Sequence, residues 1–361
     1  MAGVYISWPF CAQKCTYCNF ASGVLPRELE RPYLDAVVEE IGASGLLSQP
    51  PDTVYLGGGT PSAMTPEAIR RLLEAVPGKP WREATIEAAP GTFDEERIAA
   101  WADAGINRVS LGVQSFVRGE LARTGRRHDA AIVERDVARL RARGIANLNV
   151  DLIAGLPGQT EASWRESVAA AIRLGAPHVS VYMLEVDEDS RLGAEILLGG
   201  RRYGASDVPS NDAIADFYEI AVAELARAGI DRYEISNFAR PGAESIHNLK
   251  YWRREPYFGF GADAHSFDGV ARWQNPETVA EYLAASGAKE RSTPDPVEEK
   301  FFVGLRLSEG VETAESDWQR YGAAFKRFLG EGMMEQSGNR LRLTSRGVMV
   351  SNEIFEEFVT A

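Results

Sequence analysis

At 361 residues, with 45% hydrophobic and 25% charged side chains, the chain has an ordinary globular composition, long enough for one large domain and a smaller one. No apolar run nears the roughly 20 residues that span a bilayer, and the N-terminus MAGVYISWPF lacks the basic and apolar regions of a secretory signal, so the expectation is a cytoplasmic protein. A net charge of −13 excludes a general nucleic-acid binder, whose affinity rests on Lys and Arg neutralising phosphates.

In chain order, short β-branched runs alternate with longer amphipathic ones. VYISW (4–8), TVYLG (53–57), ATIEAA (84–89), RVSLGV (108–113), NLNVDLI (147–153) and HVSVYML (178–184) predict strands. RPYLDAVVEEIGA, PEAIRRLLEAV, DEERIAAWADAG, AAIVERDVARLRARG and EASWRESVAAAIRLG predict the helices between them. Repeated βα units imply an α/β fold with a parallel sheet. Each predicted strand runs into a polar or glycine-rich exit: Cys11, then Gly57-Gly58-Gly59-Thr60, Glu87, Gln114, Asp151 and Glu185. Functional residues at the ends of several strands fit a barrel, whereas an open sheet gathers its site at one switch point. We therefore expect a partial (β/α)6 barrel of the TIM type.

Beyond about residue 205 the pattern changes. A helix is predicted over 211–229, followed by RYEISNFARPG and the glycine- and aromatic-rich HNLKYWRREPYFGFGADAHSF. From about 295, EEKFFVGLRL and SDWQRYGAAFKRFLGEG predict helices, and NRLRLTSRG a hairpin before a last helix. The expected organisation is a barrel core over 1–205, a barrel-completing and connecting region over 206–294, and a small C-terminal α+β domain, helical and winged-helix-like, over 295–361.

All three cysteines of the chain, Cys11, Cys15 and Cys18, lie in one CxxxCxxC stretch. In a reducing compartment such a cluster points to metal or redox chemistry rather than disulfides. A structural zinc site would be one ligand short, and none of the four histidines is near in sequence. Three thiolates can hold an iron–sulfur cluster with one iron left open. Cysteines buried merely as small apolar residues would not be surrounded by Gln13, Lys14, Thr16 and Asn19.

CxxxCxxC after the first strand, Tyr17 before the last cysteine and GGGTP after the second strand together resemble the radical S-adenosylmethionine (SAM) superfamily. The resemblance implies a [4Fe-4S] cluster on Cys11, Cys15 and Cys18, its open iron chelated by the methionyl amino and carboxylate groups. It also implies an electron transfer that yields a 5′-deoxyadenosyl radical. The segments YISWPFCAQKCTYC, YLGGGTPS, IEAAPGTF, RVSLGVQSF, NVDLIAGLPGQT and HVSVYML are similar, in order, to the oxygen-independent coproporphyrinogen III oxidase-like subfamily. By that resemblance Tyr5, Gly58, Gly59, Thr60, Glu87, Gln114, Arg126 and Asp151 would line the SAM pocket. Carboxylates suit ribose hydroxyls there, and Arg126 suits the methionyl carboxylate.

Oxidases of that subfamily carry a fourth cysteine two places after the third and an N-terminal extension. Here Phe20 stands in that place and the motif begins almost at once, which resembles the haem-chaperone branch instead. That branch also carries HNxxYW, read here as His247-Asn248-Leu249-Lys250-Tyr251-Trp252. The expected cargo site then takes His247 as axial ligand, Tyr251 and Trp252 as aromatic faces, and Lys250, Arg253 and Arg254 for the propionates, with His265 as the competing ligand. The implied partners are haem or another tetrapyrrole and a haem-acceptor protein, membrane-associated acceptors included. The competing function is a radical enzyme acting on a tetrapyrrole, as in oxidative decarboxylation.

Overall fold

The structure, a computed structural model, describes residues 1–45, 49–285 and 289–359. Its strands are β1 (Gly3–Trp8), β2 (Thr53–Gly58), β3 (Glu83–Ala88), β4 (Arg108–Gln114), β5 (Asn147–Ala154), β6 (His178–Met183), β7 (Asp231–Arg232), β8 (Asn237–Ala239), β9 (Tyr257–Phe260), β10 (His265–Phe267), β11 (Arg272–Gln274), β12 (Val311–Glu312), β13 (Met334–Ser337) and β14 (Arg340–Leu343). The helices of the first half are α1 (Glu30–Ala43), α2 (Pro66–Glu74), α3 (Glu95–Asp103), α4 (Arg118–Arg123), α5 (Ala130–Ala142) and α6 (Glu161–Arg173). Those of the second are α7 (Arg191–Leu197), α8 (Asn211–Arg227), α9 (Ile246–Trp252), α10 (Val279–Ala284), α11 (Pro296–Gly304), α12 (Glu315–Gly330), α13 (Ser345–Met349) and α14 (Ser351–Glu356).

Helix starts follow local chemistry. Thr65, Asp94, Asp129, Thr160 and Ser210 each accept a hydrogen bond from a backbone N–H in the first turn of α2, α3, α5, α6 and α8. Between those helices, β1 to β6 pair in parallel, one after the next. β9 adds a further parallel strand beside β1, antiparallel β10 and β11 extend that edge, and antiparallel β8 and β7 extend the other. The sheet order is β11-β10-β9-β1-β2-β3-β4-β5-β6-β8-β7, and among the described residues no pairing joins its two ends, so the barrel is partial. Trp101 and Trp164, both fully buried, fill the layer between helices and sheet.

No strands were expected over 257–274. β9, β10 and β11 are three or four residues long, too short for alternation to register. The C-terminal part pairs β12-β14-β13 antiparallel against α11 to α14. Its core is aromatic: Phe301 lies 5.1 Å from both Phe325 and Phe358, and Tyr321 packs beside them. The hairpin there begins at Met334, five residues before the expected stretch. No described helix is long and apolar enough to cross a membrane.

Candidate functional site in the barrel

Strands buried on both faces normally read as continuous apolar runs. Here every second residue is polar: Tyr5 and Ser7; Thr53 and Tyr55; Glu83, Thr85 and Glu87; Arg108 and Ser110; Asn149 and Asp151; His178, Ser180 and Tyr182. These positions share the inner face, and several of them hydrogen-bond one another. Asn149 Nδ2 donates to Ser110 at 2.7 Å, to Asp151 at 2.6 Å and to Ser180 at 2.9 Å, and Ser110 donates to Asp151 at 3.0 Å. Of this set only Tyr5, Glu87 and Asp151 were expected as site residues. The period-two polar pattern was the signal for the rest.

Glu87 sits at the upper end of β3, accepting from Tyr55 Oη at 3.0 Å and from the Gly58 backbone N–H at 3.1 Å. Burial, then the nearby Asp151 carboxylate, push its carboxyl up to about 7 against those two donors. Burial raises Asp151 as well, opposed by its hydroxyl and amide donors. Burial also holds the Tyr5 phenol well above its ordinary value, with Glu87 adding to the effect.

The cysteines occupy the loop after β1, at the C-terminal end of the strands. Its backbone is fixed by Cys11 N–H to Gly23 O at 2.8 Å and Cys18 N–H to Cys15 O at 3.3 Å. Gly58 has φ +107°, and a Cβ on Gly59 would stand 2.7 Å from Phe10 O and 2.9 Å from Cys11 Sγ. The glycine-rich stretch is thus the cradle that lets β2 close on the cysteine loop. All three thiols are partly buried. A cavity of about 570 Å³ opens beside them, lined among others by Lys14, Cys15, Cys18, Val24, Arg127 and Arg191.

Gln114 ends β4 with φ +67°, where the pairing register shifts, and its buried Oε1 has no protein partner. Strain and an unpartnered acceptor together mark a ligand-facing position. Gly112 leaves room for the Gln114 amide and the Arg126 guanidinium, which approach its absent Cβ to 3.0 and 3.6 Å. Burial opposes the charge on Arg126, and the Tyr17 phenol and the Cys15 and Cys18 thiols beside it more than offset that. Gly58, Gly59, Thr60, Glu87, Gln114 and Arg126 therefore lie toward the cysteine end of the barrel, with Thr60 N–H donating to Phe10 O at 2.9 Å, whereas Tyr5 and Asp151 lie mid-strand on the same inner face.

The HNxxYW segment, expected to carry the haem ligand, lies at the other end of the strands. His247 has 0% exposure, and its Nδ1 and Nε2 pair with Thr53 Oγ1 at 2.9 Å and Tyr251 Oη at 2.8 Å. Burial, then Lys250 and Arg108, lower its imidazole to about 3, so it is neutral. Lys250 is tied to Asp52 at 2.9 Å, Arg253 to Glu309 at 3.2 Å and Arg254 to Glu299 at 3.0 Å. Trp252 carries the Arg306 guanidinium over its ring at 4.6 Å. His265, in contrast, is exposed on β10, and strand alternation gives it the sheet face that also carries Phe267, Tyr257 and Tyr5.

Residues 5–171 match the Radical SAM superfamily and residues 292–350 the HemN C-terminal domain. The haem chaperone HemW of Bacillus subtilis is 34% identical over 99% of both chains, and that of Lactococcus lactis 34% identical over 98% of this chain and 96% of its own. The chain belongs to the HemW family. The HemW protein of Mycobacterium tuberculosis is 35% identical over 98% of this chain and 93% of its own. Coproporphyrinogen III oxidase (HemN) from Escherichia coli, a radical SAM enzyme, has the same fold: TM-score 0.84 at 21% identity, over 99% of this chain and 90% of that one.

Radical SAM membership implies a [4Fe-4S] cluster and SAM, and the residues fit both. Burial pushes the Cys18 thiol up against the opposing Phe20 backbone and Lys14, and cysteines bind a cluster as thiolates. The buried Thr16 Oγ1, Gln114 Oε1 and Arg126 Nε, without protein partners, offer polar contacts to a ligand beside it.

Proposed function

We propose that this chain is a cytoplasmic haem chaperone that binds haem and passes it to an acceptor protein. The similarity to haem chaperones named HemW over nearly the whole chain carries this reading. Phe20 supports it, because the resemblance places the oxidases' fourth cysteine there. Cys11, Cys15 and Cys18 are the proposed cluster ligands. Tyr5, Gly58, Gly59, Thr60, Glu87, Gln114, Arg126 and Asp151 form the proposed SAM pocket. A bound cluster would supply the electron for SAM cleavage. This chain's residues orient that cofactor: Gly58 and Gly59 bring the backbone close, Glu87 and Asp151 present acceptors to hydroxyl and amino groups, and Arg126 presents a cation in a partly buried setting.

For the cargo, His265 is the proposed axial ligand, since its imidazole is exposed whereas that of His247 is enclosed. We take 1–205, 206–294 and 295–361 as its functional regions. Anaerobic haem titration of the cluster-reconstituted protein tests the reading. Saturable binding near one haem per chain supports it, and conversion of coproporphyrinogen III without haem binding refutes it.

A further inference from the structure

α9 closes the end of the barrel opposite the cysteines. It is pinned by the first residue of each neighbouring strand. Glu83, opening β3, accepts from Ser245 Oγ at 3.2 Å, from Ile246 N–H at 2.9 Å and from His247 N–H at 2.9 Å. Thr53, opening β2, meets His247 Nδ1. Gly3, opening β1, has no Cβ, and one there would stand 3.0 Å from the His247 ring. Lys250 adds a bond to the Met1 carbonyl at 2.8 Å.

The imidazole does not stop at that floor. Its ring packs on Tyr55, centroids 5.3 Å apart and planes at 31°, and Tyr55 also stacks on Tyr5 at 6.1 Å. Tyr251, the partner of His247 Nε2, is itself fixed edge-on against Tyr257 at 4.5 Å. Tyr55 Oη then donates to Glu87, whose second oxygen accepts from Gly58 N–H. One continuous set of contacts therefore runs from Thr53 and Tyr251 through His247, Tyr55 and Glu87 to the glycine loop, the length of β2, about 16 Å at ~3.3 Å per residue.

We infer that His247 is a positioning residue for the SAM pocket: it fixes Tyr55, and through Tyr55 the Glu87 carboxylate and the Gly58 backbone. This rests on the SAM pocket proposed above. The geometry suits the task. A neutral imidazole has one donor and one acceptor nitrogen, and the hydroxyls of Thr53 and Tyr251 can each serve as either, so the ring is held from both sides in one plane. Tyr55 carries a single hydroxyl, so a tilt of its ring moves the bond to Glu87 directly. A misplaced carboxylate then leaves Gly58 N–H without its acceptor. The HNxxYW sequence in this chain is thereby a device of the cofactor end built into the opposite end of the barrel.

The test uses full-length, cluster-reconstituted protein, with SAM affinity by equilibrium dialysis and haem affinity by absorbance. His247→Ala and Tyr55→Phe should each weaken SAM binding about tenfold, with iron content and haem affinity at wild-type values. His247→Gln, which keeps a polar group toward Tyr251 or Thr53, should recover most of the loss. Phe325→Leu, which loosens only the C-terminal core, controls for general destabilisation and should leave SAM affinity unchanged. Unchanged SAM affinity in both Tyr55→Phe and His247→Ala overturns the inference, as does loss of haem with SAM binding intact in His247→Ala. Wild-type protein that binds no SAM overturns the pocket itself and, with it, this role.

Discussion

Tyr55 and Glu87 face each other across β2 and β3, joined by a 3.0 Å hydrogen bond inside the barrel. That bond does not suffice to keep the carboxylate charged. Burial and Asp151 outweigh Tyr55 and Gly58 N–H, and the carboxyl titrates near 7. A carboxyl whose pKa is raised on folding takes up a proton as the chain folds. Its stabilising contribution is complete below its unfolded value, about 4.5, and is lost as pH rises through 7. The ligand-free wild type should therefore lose on the order of 2–3 kcal/mol relative to Glu87→Gln between those pH values. Parallel denaturation series at pH 4.5, 6 and 8 check this. Identical pH dependence in the two proteins would contradict it.

Replacing any one of Cys11, Cys15 and Cys18 by Ser should abolish the iron–sulfur absorption band and drop iron content toward zero. Two ligands cannot hold a cluster that already leaves one iron open. Retention of wild-type iron in Cys18→Ser, for example, would remove that residue from the ligand set.

His265 and His247 make opposite predictions for the cargo. His265→Ala should weaken haem binding at least tenfold and change the Soret band of the complex. His247→Ala should leave both unchanged. Haem titration of the two variants separates them, and a Soret shift confined to His247→Ala would reverse the assignment.

In the C-terminal part, Phe301 is fully buried among Tyr321, Phe325 and Phe358. Phe301→Ala should cost about 3–5 kcal/mol in that unit, read as a lower denaturation midpoint. The cluster spectrum should not change, because the cavity forms far in sequence from the cysteine loop. A midpoint within error of wild type would mean that this core contributes little.

β1 to β6 were legible in the sequence because each is six to eight residues long and alternates with helical patterns. The cofactor end was legible because strand exits and the cysteine spacing lie within single segments. What stayed hidden depended on pairing between distant segments. Nothing near residue 247 shows that Glu83 caps its helix or that Thr53 takes its ring nitrogen, at separations of 164 and 194 residues. His247 therefore reads as a haem ligand, although the fold buries it and pairs both its ring nitrogens. Arg108 and Asn149 were passed over for a similar reason: a polar residue inside a strand gains its meaning only from neighbouring strands.

The most direct test of the chaperone account is a haem titration of anaerobically reconstituted protein, run beside an assay of coproporphyrinogen III turnover. The account predicts saturation near one haem per chain and no turnover. Turnover in the absence of haem binding would contradict it and make the chain an enzyme of porphyrin synthesis.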